Sequence, residues 1–467
     1  LASSSAPGLA DPSTTMKDVA ISFSRLAAEH GLSVYAPLLS ELDRLSIRHV
    51  VDAMRALGFD ATPGRRFSVA DEMNRLGVVP AYSRLFARIL EWMAQDGLLR
   101  PQGVDWEVVG LPLHDGLDDP YEALLARFGP VDGELRTLRR CGPKLAEVLT
   151  GRQDPVQLLF PNGSFEEARR LYVESPFARV YNGALADSLT AAMEGLQRGR
   201  RLRILEIGAG TGGTTTYVLP RLPADSSEYV FTDVSPLFLE RAARQFADYP
   251  FLRCSMLDVE QDLVTQGYPK GQYDVVIAAN VLHATVDLRA SVGRARELLA
   301  PGGLLLLLEG ITPQRWVDLT FGLTEGWWRF RDEKLRPNYP LIGRDAWKRV
   351  LEEAGLTDVR IQPQGDEDDA SFNQQVLIAA RAPIVRQSWV ISGSEGDLAR
   401  ALAARLRERG DSVRFLAVGE EPMPDGGNLI YLGALDLMQA APDDPLLPTR
   451  VTELAAIEPL RLLGHLA

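Results

Sequence analysis

The sequence predicts an α/β protein with a doubly wound parallel sheet, a helical domain before it and a second, partial α/β fold after it. Three observations support this prediction. Residues 175–382 alternate strand-like with helix-like segments, and Leu205–Thr215 (LEIGAGTGGTT) joins an apolar strand to a glycine-rich turn. Residues 16–174 repeat apolar side chains at every third or fourth position, which is the period of amphipathic helices. Successive βα units build parallel sheets that bind ligands at the carboxyl ends of their strands.

The order of these zones predicts four segments. Residues 1–15 (LASSSAPGLADPSTT) have the composition of a disordered linker, and residues 16–174 have the pattern of a helical lid or packing domain without chemistry of its own. Residues 175–382 form the central core. Residues 383–467 begin with a strand, a glycine turn, a helix and another strand, which is typical of a partial Rossmann-like fold. Because the turn Gly393–Asp397 places an acid where a phosphate would bind, we expect this last segment to be structural and to bind no cofactor.

The composition restricts the classes of partner. Of the 467 residues, 50 are Lys or Arg and 63 are Asp or Glu, which gives a net charge of −13. A nucleic acid or an anionic membrane needs clustered basic residues, so we expect neither as a partner. The most apolar run, Leu304–Leu308, has the length of a buried strand and not of a membrane span. Cys141 and Cys254 provide neither a disulfide framework nor a zinc spacing, so we expect no metal site and a cytoplasmic location.

Seven strand candidates lie in the central core, and the first five end in polar residues and are separated by helical segments. These five are RLRILEIG, EYVFTDVS, PFLRCSMLD, YDVVIAANV and GGLLLLLEG, and their polar residues are Glu206, Asp233, Asp258, Asn280 and Glu309. VRIQPQG and QQVLIAAR follow as two further strands. A single acid at such a position could simply cap a helix. Polar residues at five successive strand ends predict a ligand site.

The turn after the first strand predicts a nucleotide-bearing cofactor. Gly208, Gly210 and Gly212 let backbone amides approach a ligand closely, because glycine has no β-carbon and adopts positive φ freely. Gly208, Gly210 and Gly213 also fit the GxGxxG fingerprint of dinucleotide sites. Asp233, at the end of the second strand, is placed to accept hydrogen bonds from both ribose hydroxyls. These residues suit NAD and S-adenosylmethionine equally.

Two acids distinguish the two cofactors. Glu206 directly precedes the glycine turn, where a carboxylate repels a pyrophosphate but suits the ammonium and sulfonium groups of S-adenosylmethionine. Asp258 ends the third strand and is able to accept a hydrogen bond from an adenine amino group. An acid-lined site of this kind favours S-adenosylmethionine over NAD.

Several motifs carry a resemblance to a known family. In order along the chain, LEIGAGTGGTT, VFTDVS, MLDVEQD, YDVVIAANVLHAT and LLLLLEG resemble class I S-adenosylmethionine-dependent methyltransferases. With FGLTEGWWRFRDEKLRPNYPLI (Phe321–Ile342), they are similar to the C-methyltransferase domains of modular type I polyketide synthases. LFPNGSFEEARRLYVESPFARVYNGAL is similar to the N-terminal lid of that family, and residues 383–467 resemble its truncated, non-catalytic ketoreductase fragment. The resemblance covers residues 30–467 and is strongest over 160–350.

The resemblance implies a catalytic pair that matches His283 in NVLHAT and Glu309 in LLLEG. It also implies that the methyl acceptor is the α-carbon of a β-ketoacyl chain on the phosphopantetheine of an acyl carrier protein. Two carbonyl groups acidify that C–H bond, so an imidazole is a suitable general base, and Glu309 would orient it. Asn280 is expected to contact the enolate oxygen or the cofactor. Tyr172 and Tyr181 are both candidates for the active-site tyrosine, and we favour Tyr181.

The remaining predictions concern binding. The cofactor-binding residues are predicted to be Glu206, Gly208, Ala209, Gly210, Gly212, Asp233, Val234, Leu257, Asp258 and Asn280. Trp327 and Trp328 are the candidates for the acyl pocket, and one of them is expected to line it because neighbouring residues of a helix face different ways. Arg336 is interpreted as a surface charge, with the phosphopantetheine arm as its alternative partner. His30, His49, His114 and His465 are expected to be structural, and other domains of the same synthase module are expected partners.

Two other functions are compatible with the residues. O-methylation of a carrier-bound β-hydroxyl or enol also uses a histidine base, and the resemblance of residues 321–342 is what favours carbon. The second alternative is a catalytically silent scaffold domain. The presence of Glu206, Asp233, His283 and Glu309 argues against a silent domain.

Overall fold

The computed structural model of this protein describes residues 8–112, 119–129, 132–161, 166–196, 200–364, 372–384, 388–393, 395–408, 411–416 and 428–432. Contacts divide the chain into two units, one spanning Pro7–Pro383 and one that includes Ile384–Ala467. None of the helices in the described residues is both long enough and apolar enough to cross a membrane.

The first part of the larger unit is mostly helical. Its helices are α1 (Pro12–Glu29), α2 (Tyr35–Ala56), α3 (Val69–Leu76), α4 (Ser83–Gln95), α5 (Tyr121–Arg127), α6 (Asp132–Cys141), α7 (Leu145–Leu149), α8 (Pro155–Leu159) and α9 (Glu166–Arg169). A π-helical turn, Arg170–Glu174, follows.

This part also contains a small antiparallel sheet that the helical prediction missed. Its strands are β1 (Arg66–Phe67), β2 (Leu99–Gln102) and β3 (Asp105–Val108), in the order β1-β3-β2. The tight link between β2 and β3 includes Gly103, which has a φ of +67°. The sequence pattern predicted only helices here, in which such a glycine would mark a break, but a glycine in the left-handed region equally turns one strand back on another.

The expectation of a disordered linker over residues 1–15 is wrong for its second half. α1 begins at Pro12, and the Asp11 side chain caps its first turn. The Ala10 amide donates to the Ala192 carbonyl at 2.9 Å, which ties the segment to the core. An N-capping acid followed by proline at the first helical position is a helix-start signal, and it outweighs the loop-like composition. The first seven residues of that prediction lie outside the described residues.

The core is a seven-stranded sheet in the order β6-β5-β4-β7-β8-β10-β9. Its strands are β4 (Leu202–Ile207), β5 (Ser227–Asp233), β6 (Leu252–Met256), β7 (Tyr273–Ala279), β8 (Leu299–Gly310), β9 (Thr357–Gln362) and β10 (Gln375–Arg381). The helices around it are α10 (Pro176–Met193), α11 (Gly213–Val218), α12 (Pro236–Gln245), α13 (Leu288–Leu298), α14 (Arg315–Asp318) and α15 (Arg344–Glu353). All seven predicted strands are therefore present.

The sheet is mixed, so the prediction of an all-parallel sheet needs correction. β4 to β8 are mutually parallel, but β10 runs antiparallel to both β8 and β9. Helical segments separate the first five strand candidates, and crossover helices bring successive strands back in parallel. The sequence has no helix-like segment between β9 and β10, and strands joined without a crossover helix pair antiparallel.

Both faces of the sheet are buried, and side chains of the first helical part belong to the hydrophobic cluster on one of them. In β8, Leu304, Leu306 and Leu308 join the hydrophobic cluster that contains the side chains of α1, α2 and α4. Leu305 and Leu307 point the other way, into a second cluster with residues of α13 and α15. This alternation explains why the predicted buried strand is continuously apolar.

The smaller unit contains the predicted strand, helix and strand. Its described elements are β11 (Ser388–Ser392), α16 (Asp397–Glu408), β12 (Ser412–Leu416) and β13 (Asn428–Tyr431). The three strands are parallel in the order β12-β11-β13. Ile391 packs with Ala399, Ala403 and Leu406 of the helix in a small core.

Candidate active site

A cavity of about 430 Å³ lies at the carboxyl ends of β4, β7 and β8. The sheet contributes Glu206, Asn280 and Gly310 to its wall, and residues of the first helical part, such as Phe160, contribute to the remainder. The ends of the first five strands were predicted to form a ligand site, and three of them, those of β4, β7 and β8, line this cavity. Among the described residues, no group of three or more His, Cys, Asp or Glu side chains is arranged to hold a metal ion.

The glycine turn, residues 208–213, forms one wall of the cavity. Gly208, Gly210 and Gly212 have φ values of +58°, +54° and +76°. A β-carbon added at Gly208 would lie 2.3 Å from Val281 Cγ2, and one added at Gly212 would lie 2.7 Å from the Phe246 ring. Only glycine therefore suits these two positions, in both conformation and space.

Glu206 lies beside this turn as a buried carboxyl group. Its side chain lines the cavity and the residue is 1% exposed. Oε2 accepts hydrogen bonds from the hydroxyls of Thr215 at 2.5 Å and Tyr229 at 2.6 Å. Burial raises the pKa of Glu206 to about 7. The two hydroxyls therefore hold the carboxyl in one orientation at the end of β4.

The predicted adenosine-binding residues gather at the next two strand ends, beside the turn. Asp233 Oδ2 accepts from the Gly210 amide at 3.0 Å, and the Leu257 amide donates to the Asp233 carbonyl at 3.3 Å. Burial raises the pKa of Asp233. Asp258 Oδ1 accepts from the Glu260 amide at 2.9 Å, and Val234 is 59% exposed. These residues adjoin the turn but do not line the 430 Å³ cavity.

The charges of the cavity suit a cofactor without phosphates. Among the described residues that line it, none is Lys or Arg, and the carboxyl groups are those of Glu134 and Glu206. A pyrophosphate would meet no counter-charge there, whereas an ammonium or sulfonium group would meet an acid. The glycine cradle next to a held carboxyl thus fits S-adenosylmethionine better than a dinucleotide.

The histidine loop, residues 280–286, follows β7 and lies next to the glycine turn, where Val281 meets Gly208. His283 lines the cavity and is 6% exposed, and its Nδ1 lies 2.6 Å from Glu309 Oε2. Glu309 Oε1 accepts from the amides of Val281 at 3.1 Å and Leu282 at 2.8 Å. The predicted pair is therefore in direct contact. With Nδ1–H donating to the carboxylate, Nε2 is the ring nitrogen that accepts a proton.

Only one of the two candidate tryptophans reaches the cavity. The Trp327 ring stands edge-on to the imidazole of His283, with ring centroids 5.0 Å apart, and lines the cavity. Trp328 points away, and its Nε1 donates to the Gly322 carbonyl at 2.7 Å. One of the two tryptophans was expected to line the pocket, and Trp327 is the one at the cavity, because the 3₁₀ turn Glu325–Trp328 directs the two side chains to different sides. Its contact with an acyl chain remains a prediction.

Both candidate tyrosines line the cavity, together with Asn280. The Tyr181 hydroxyl donates to the Gln375 carbonyl at 3.1 Å. The Tyr172 ring packs against that of Phe321 with centroids 5.7 Å apart, and burial raises the pKa of Tyr172. Asn280 has a φ of +51°, and its Oδ1 accepts from Gln375 Nε2 at 3.2 Å. Their predicted roles remain predictions.

Arg336 is buried, which contradicts the sequence prediction of a surface residue. It is 0% exposed, although we interpreted it as a surface charge. Its Nη1 donates to the His283 carbonyl at 2.7 Å and its Nη2 to the Thr285 carbonyl at 2.8 Å. Nε donates to Asp332 Oδ1 at 2.6 Å. An acid four residues before an arginine was visible in the sequence, but such pairs are equally common on helix surfaces and carry no signal of burial.

The first helical part supplies polar groups that we did not anticipate. Glu134 and Tyr35 line the cavity, and the Tyr35 hydroxyl donates to Glu134 Oε1 at 2.8 Å. The pattern of an amphipathic helix does not distinguish such an acid from a solvated one. His49 has a structural environment, with Nε2 2.7 Å from the Tyr121 hydroxyl, and burial lowers its pKa to about 4. His114 and His465 lie outside the described residues.

The chain is similar to known methyltransferases and polyketide synthases. A family described as a methyltransferase domain matches residues 205–305. The polyketide synthase ThaG of Burkholderia thailandensis is 33% identical over 404 residues, which cover 83% of this chain and 7% of ThaG. The chain thus spans a small part of the length of this relative.

Solved structures are similar over most of this chain's length. The CurJ carbon methyltransferase is 40% identical with a TM-score of 0.78, covering 80% of this chain and 100% of that one. The CMeT domain of the citrinin polyketide synthase is 28% identical with a TM-score of 0.71, covering 81% and 99%. The trans-methyltransferase CalH, in complex with S-adenosylhomocysteine, is 27% identical with a TM-score of 0.56, covering 74% and 91%.

These likenesses confirm the predicted class I methyltransferase fold with its helical N-terminal region. They also confirm the predicted cofactor, which is S-adenosylmethionine. The chain belongs to the carbon methyltransferase domains of polyketide synthases.

Proposed function

We propose that this domain methylates the α-carbon of a β-ketoacyl chain tethered to the phosphopantetheine of an acyl carrier protein. The observation that supports this most directly is the His283–Glu309 pair, whose histidine lines the same cavity as the glycine turn. A base directed into a cofactor-sized cavity suits removal of a proton from carbon, because the β-ketoacyl α-C–H is acidic enough for an imidazole.

The proposed base is Nε2 of His283. Its Nδ1–H is bonded to Glu309, so the α-proton moves to Nε2 and the imidazolium that forms lies against a carboxylate. Glu309 is 0% exposed and also accepts two backbone amides, which keeps it in place while the ring charges. The electron pair left on the α-carbon is delocalised onto the two carbonyl oxygens as an enolate.

The cofactor is proposed to be held between the glycine turn and Glu206, with Asp233 and Asp258 at the adenosine end. When bound, S-adenosylmethionine supplies an electrophilic methyl group, whose bond to sulfur breaks as the bond to the α-carbon forms, with S-adenosylhomocysteine as the product. Glu206 attracts the ammonium group of the cofactor. Asp233, already fixed by the Gly210 amide, presents its remaining acceptor capacity to the ribose.

The acceptor is proposed to lie between His283 and Trp327. The edge-on indole at 5.0 Å limits the positions that an acyl chain can take above the imidazole, and such positioning supplies much of the acceleration of bond formation. Asn280 and the two tyrosines, Tyr172 and Tyr181, are the proposed polar contacts to the enolate or the cofactor. Arg336 holds the backbone of the histidine loop and is a positioning residue.

The test supplies S-adenosylmethionine and a β-ketoacyl thioester on a carrier protein, and then locates the new methyl group by NMR. A methyl on the α-carbon is the expected result. A methyl on oxygen would contradict the proposal in favour of O-methylation. Absence of both turnover and calorimetric binding of S-adenosylmethionine would leave only a silent scaffold.

The division of the chain and its partners belong to the same proposal. We take the first helical part as a lid over the cavity and the smaller unit as a non-catalytic, ketoreductase-like fragment. The partners are then the acyl carrier protein and other domains of the same synthase, in the cytoplasm. The resemblance of the motifs and the presence of polyketide synthases among the relatives support these proposals.

A further inference from the structure

The lid contributes a polar pair to the cavity wall that the proposed chemistry does not use. Tyr35 at the start of α2 and Glu134 on α6 are 2% and 0% exposed. The Tyr35 hydroxyl donates to Glu134 Oε1 at 2.8 Å. In the part of the chain that the structure describes, Glu134 Oε2 is buried and has no hydrogen-bond partner. One carboxyl oxygen is therefore anchored, and the other is available to whatever occupies the cavity.

The surroundings of this pair are apolar. Phe177 stacks on Tyr35 with ring centroids 5.0 Å apart, and Leu159, Phe160 and Leu171 line the cavity nearby. Burial raises the pKa of Glu134 to about 7. A buried acceptor without a partner is unfavourable, so a donor delivered by a ligand would be bound with marked preference over an apolar group at the same place.

Helix α6, which carries Glu134, and the cofactor-binding turn contact the π-helical turn Arg170–Glu174 at different residues. A β-carbon added at Gly133 of α6 would lie 3.3 Å from Leu171 Cα, and one added at Gly213 would lie 2.9 Å from the Tyr172 carbonyl oxygen. The π-helical turn Arg170–Glu174 is thus in contact with α6 at Leu171 and with the glycine turn at Tyr172. Glu206 is the carboxyl beside the glycine turn, and Glu134 is the second carboxyl that lines the cavity.

We propose that Glu134 Oε2 accepts a hydrogen bond from an O–H or N–H group of the acyl acceptor, remote from the α-carbon. This inference rests on the proposed function, since it takes a thioester-linked acyl chain as the second occupant. Two parts of such an acceptor carry the required donor: a hydroxyl further along the acyl chain, and the outer amide of the pantetheine arm. Tyr35 orients the carboxyl. The lid thereby favours acceptors that carry this donor over acceptors that lack it.

The test uses the full chain and four acceptors. These are β-ketoacyl thioesters with and without a hydroxyl further along the chain, each on pantetheine and on N-acetylcysteamine, which lacks the outer amide. Glu134→Gln preserves the size of the side chain and an oxygen for Tyr35, but it can direct an NH₂ group at the ligand. We expect it to raise KM about tenfold for acceptors that carry the recognised donor and to leave the others unchanged.

The pattern across the four acceptors identifies the donor. A change confined to the hydroxylated pair assigns the acyl hydroxyl, and a change confined to the pantetheine pair assigns the amide. An equal change for all four, or no change, would overturn the inference. Glu122→Gln, on α5 with a side chain that is 72% exposed, is the matched control and should leave all four KM values unaltered.

A second variant and a second measurement keep the result interpretable. Tyr35→Phe removes only the anchoring hydroxyl, and we expect the same selective rise in KM with a smaller amplitude. The Kd for S-adenosylmethionine should be unchanged in both variants, and a weakened Kd would overturn the inference by assigning Glu134 to the cofactor. Wild-type protein that methylates none of the acceptors would overturn the proposed function itself, whereas active wild type with insensitive variants overturns this inference alone.

Discussion

The glycine turn and the histidine loop line one cavity from adjacent strand ends, but different interactions hold them. The turn adopts its shape because three of its residues are glycines with positive φ, so its conformation is encoded locally. The histidine loop is held by Glu309 at the end of β8 and by Arg336, both distant in the chain. The two regions touch where Gly208 meets Val281. A cavity wall can therefore be encoded locally, while the His283–Glu309 contact beside it depends on long-range interactions.

The largest expected effect is on the rate of methyl transfer, with cofactor binding unchanged. His283→Ala should lower kcat by about a hundredfold to ten-thousandfold, because it removes the proposed general base. The Kd for S-adenosylmethionine should hardly change, since the glycine turn is left intact. Single-turnover methylation and calorimetry measure the two effects. His30→Ala, at a half-buried histidine of α1's end, is the control, and substantial turnover by His283→Ala would exclude His283 as the base.

The second prediction removes the long-range support of the histidine loop. Arg336→Met should lower the free energy of unfolding by about 3–5 kcal/mol, because Asp332 is left without its buried partner. It should also lower kcat while the Kd for S-adenosylmethionine changes little. Chemical denaturation and steady-state kinetics provide the measurements.

A matched variant tests whether burial is the cause. Arg329→Met removes a side chain that is 44% exposed and that also donates to the histidine loop, at the Ala284 carbonyl. We expect it to cost less than about 1 kcal/mol. Equal losses for the two variants would mean that Arg336 has no special role in positioning the loop.

The third prediction strains the turn alone. Gly208→Ala should weaken binding of S-adenosylmethionine by roughly tenfold or more, because its β-carbon meets Val281 and its φ is unfavourable for alanine. Gly210→Ala shares the positive φ, but its β-carbon would meet nothing nearer than 3.9 Å. Calorimetric titration of both variants separates the clash from the conformational strain. If Gly210→Ala bound as weakly as Gly208→Ala, the contact with Val281 would be irrelevant.

The smallest effect concerns the ionisation of Glu206. Its pKa of about 7 lies above the ordinary value of 4.5 because of burial, so its neutral form is favoured in the folded protein below that pH. The ammonium of the cofactor requires the carboxylate, so affinity should rise about fivefold between about pH 6 and about pH 7. Isothermal titration at the two pH values measures this. Glu206→Gln should bind more weakly and without that slope; a slope that persists in the variant would belong to another group.

Much of the fold could be predicted from local patterns. The seven core strands appear where apolar segments of strand length were predicted. The alternation of the first five with helices predicted a doubly wound α/β sheet, and the resemblance of the motifs predicted the class I methyltransferase fold. The antiparallel β10 was not anticipated, because a strand's direction depends on how the preceding segment returns to the sheet. The β2–β3 hairpin was missed because a single glycine in the sequence is compatible both with the end of a helix and with the turn of a hairpin.

The candidate site was likewise predicted only in part from the sequence. The motif around His283 and the strand end at Glu309 were readable, and their contact at 2.6 Å agrees with the predicted pair, although their catalytic role remains a prediction. Trp327 and Trp328 could not be distinguished from their adjacency alone. Arg336 and Glu134 had the sequence pattern of solvent-exposed charges. A helix or loop pattern does not indicate which charged side chains become buried by distant parts of the chain.

The sequence by itself determined the order of strands and helices, the glycine turn and the identity of the cofactor. These depend on apolar periodicity, on backbone freedom at glycine and on residue chemistry, all of which act over a few neighbouring positions. Only the tertiary structure decided that Arg336 supports the backbone of the histidine loop and that Tyr35 and Glu134 face the cavity. Those arrangements join residues that are 53 and 99 positions apart in the chain, and burial in a common core is what selects their contacts from many alternatives.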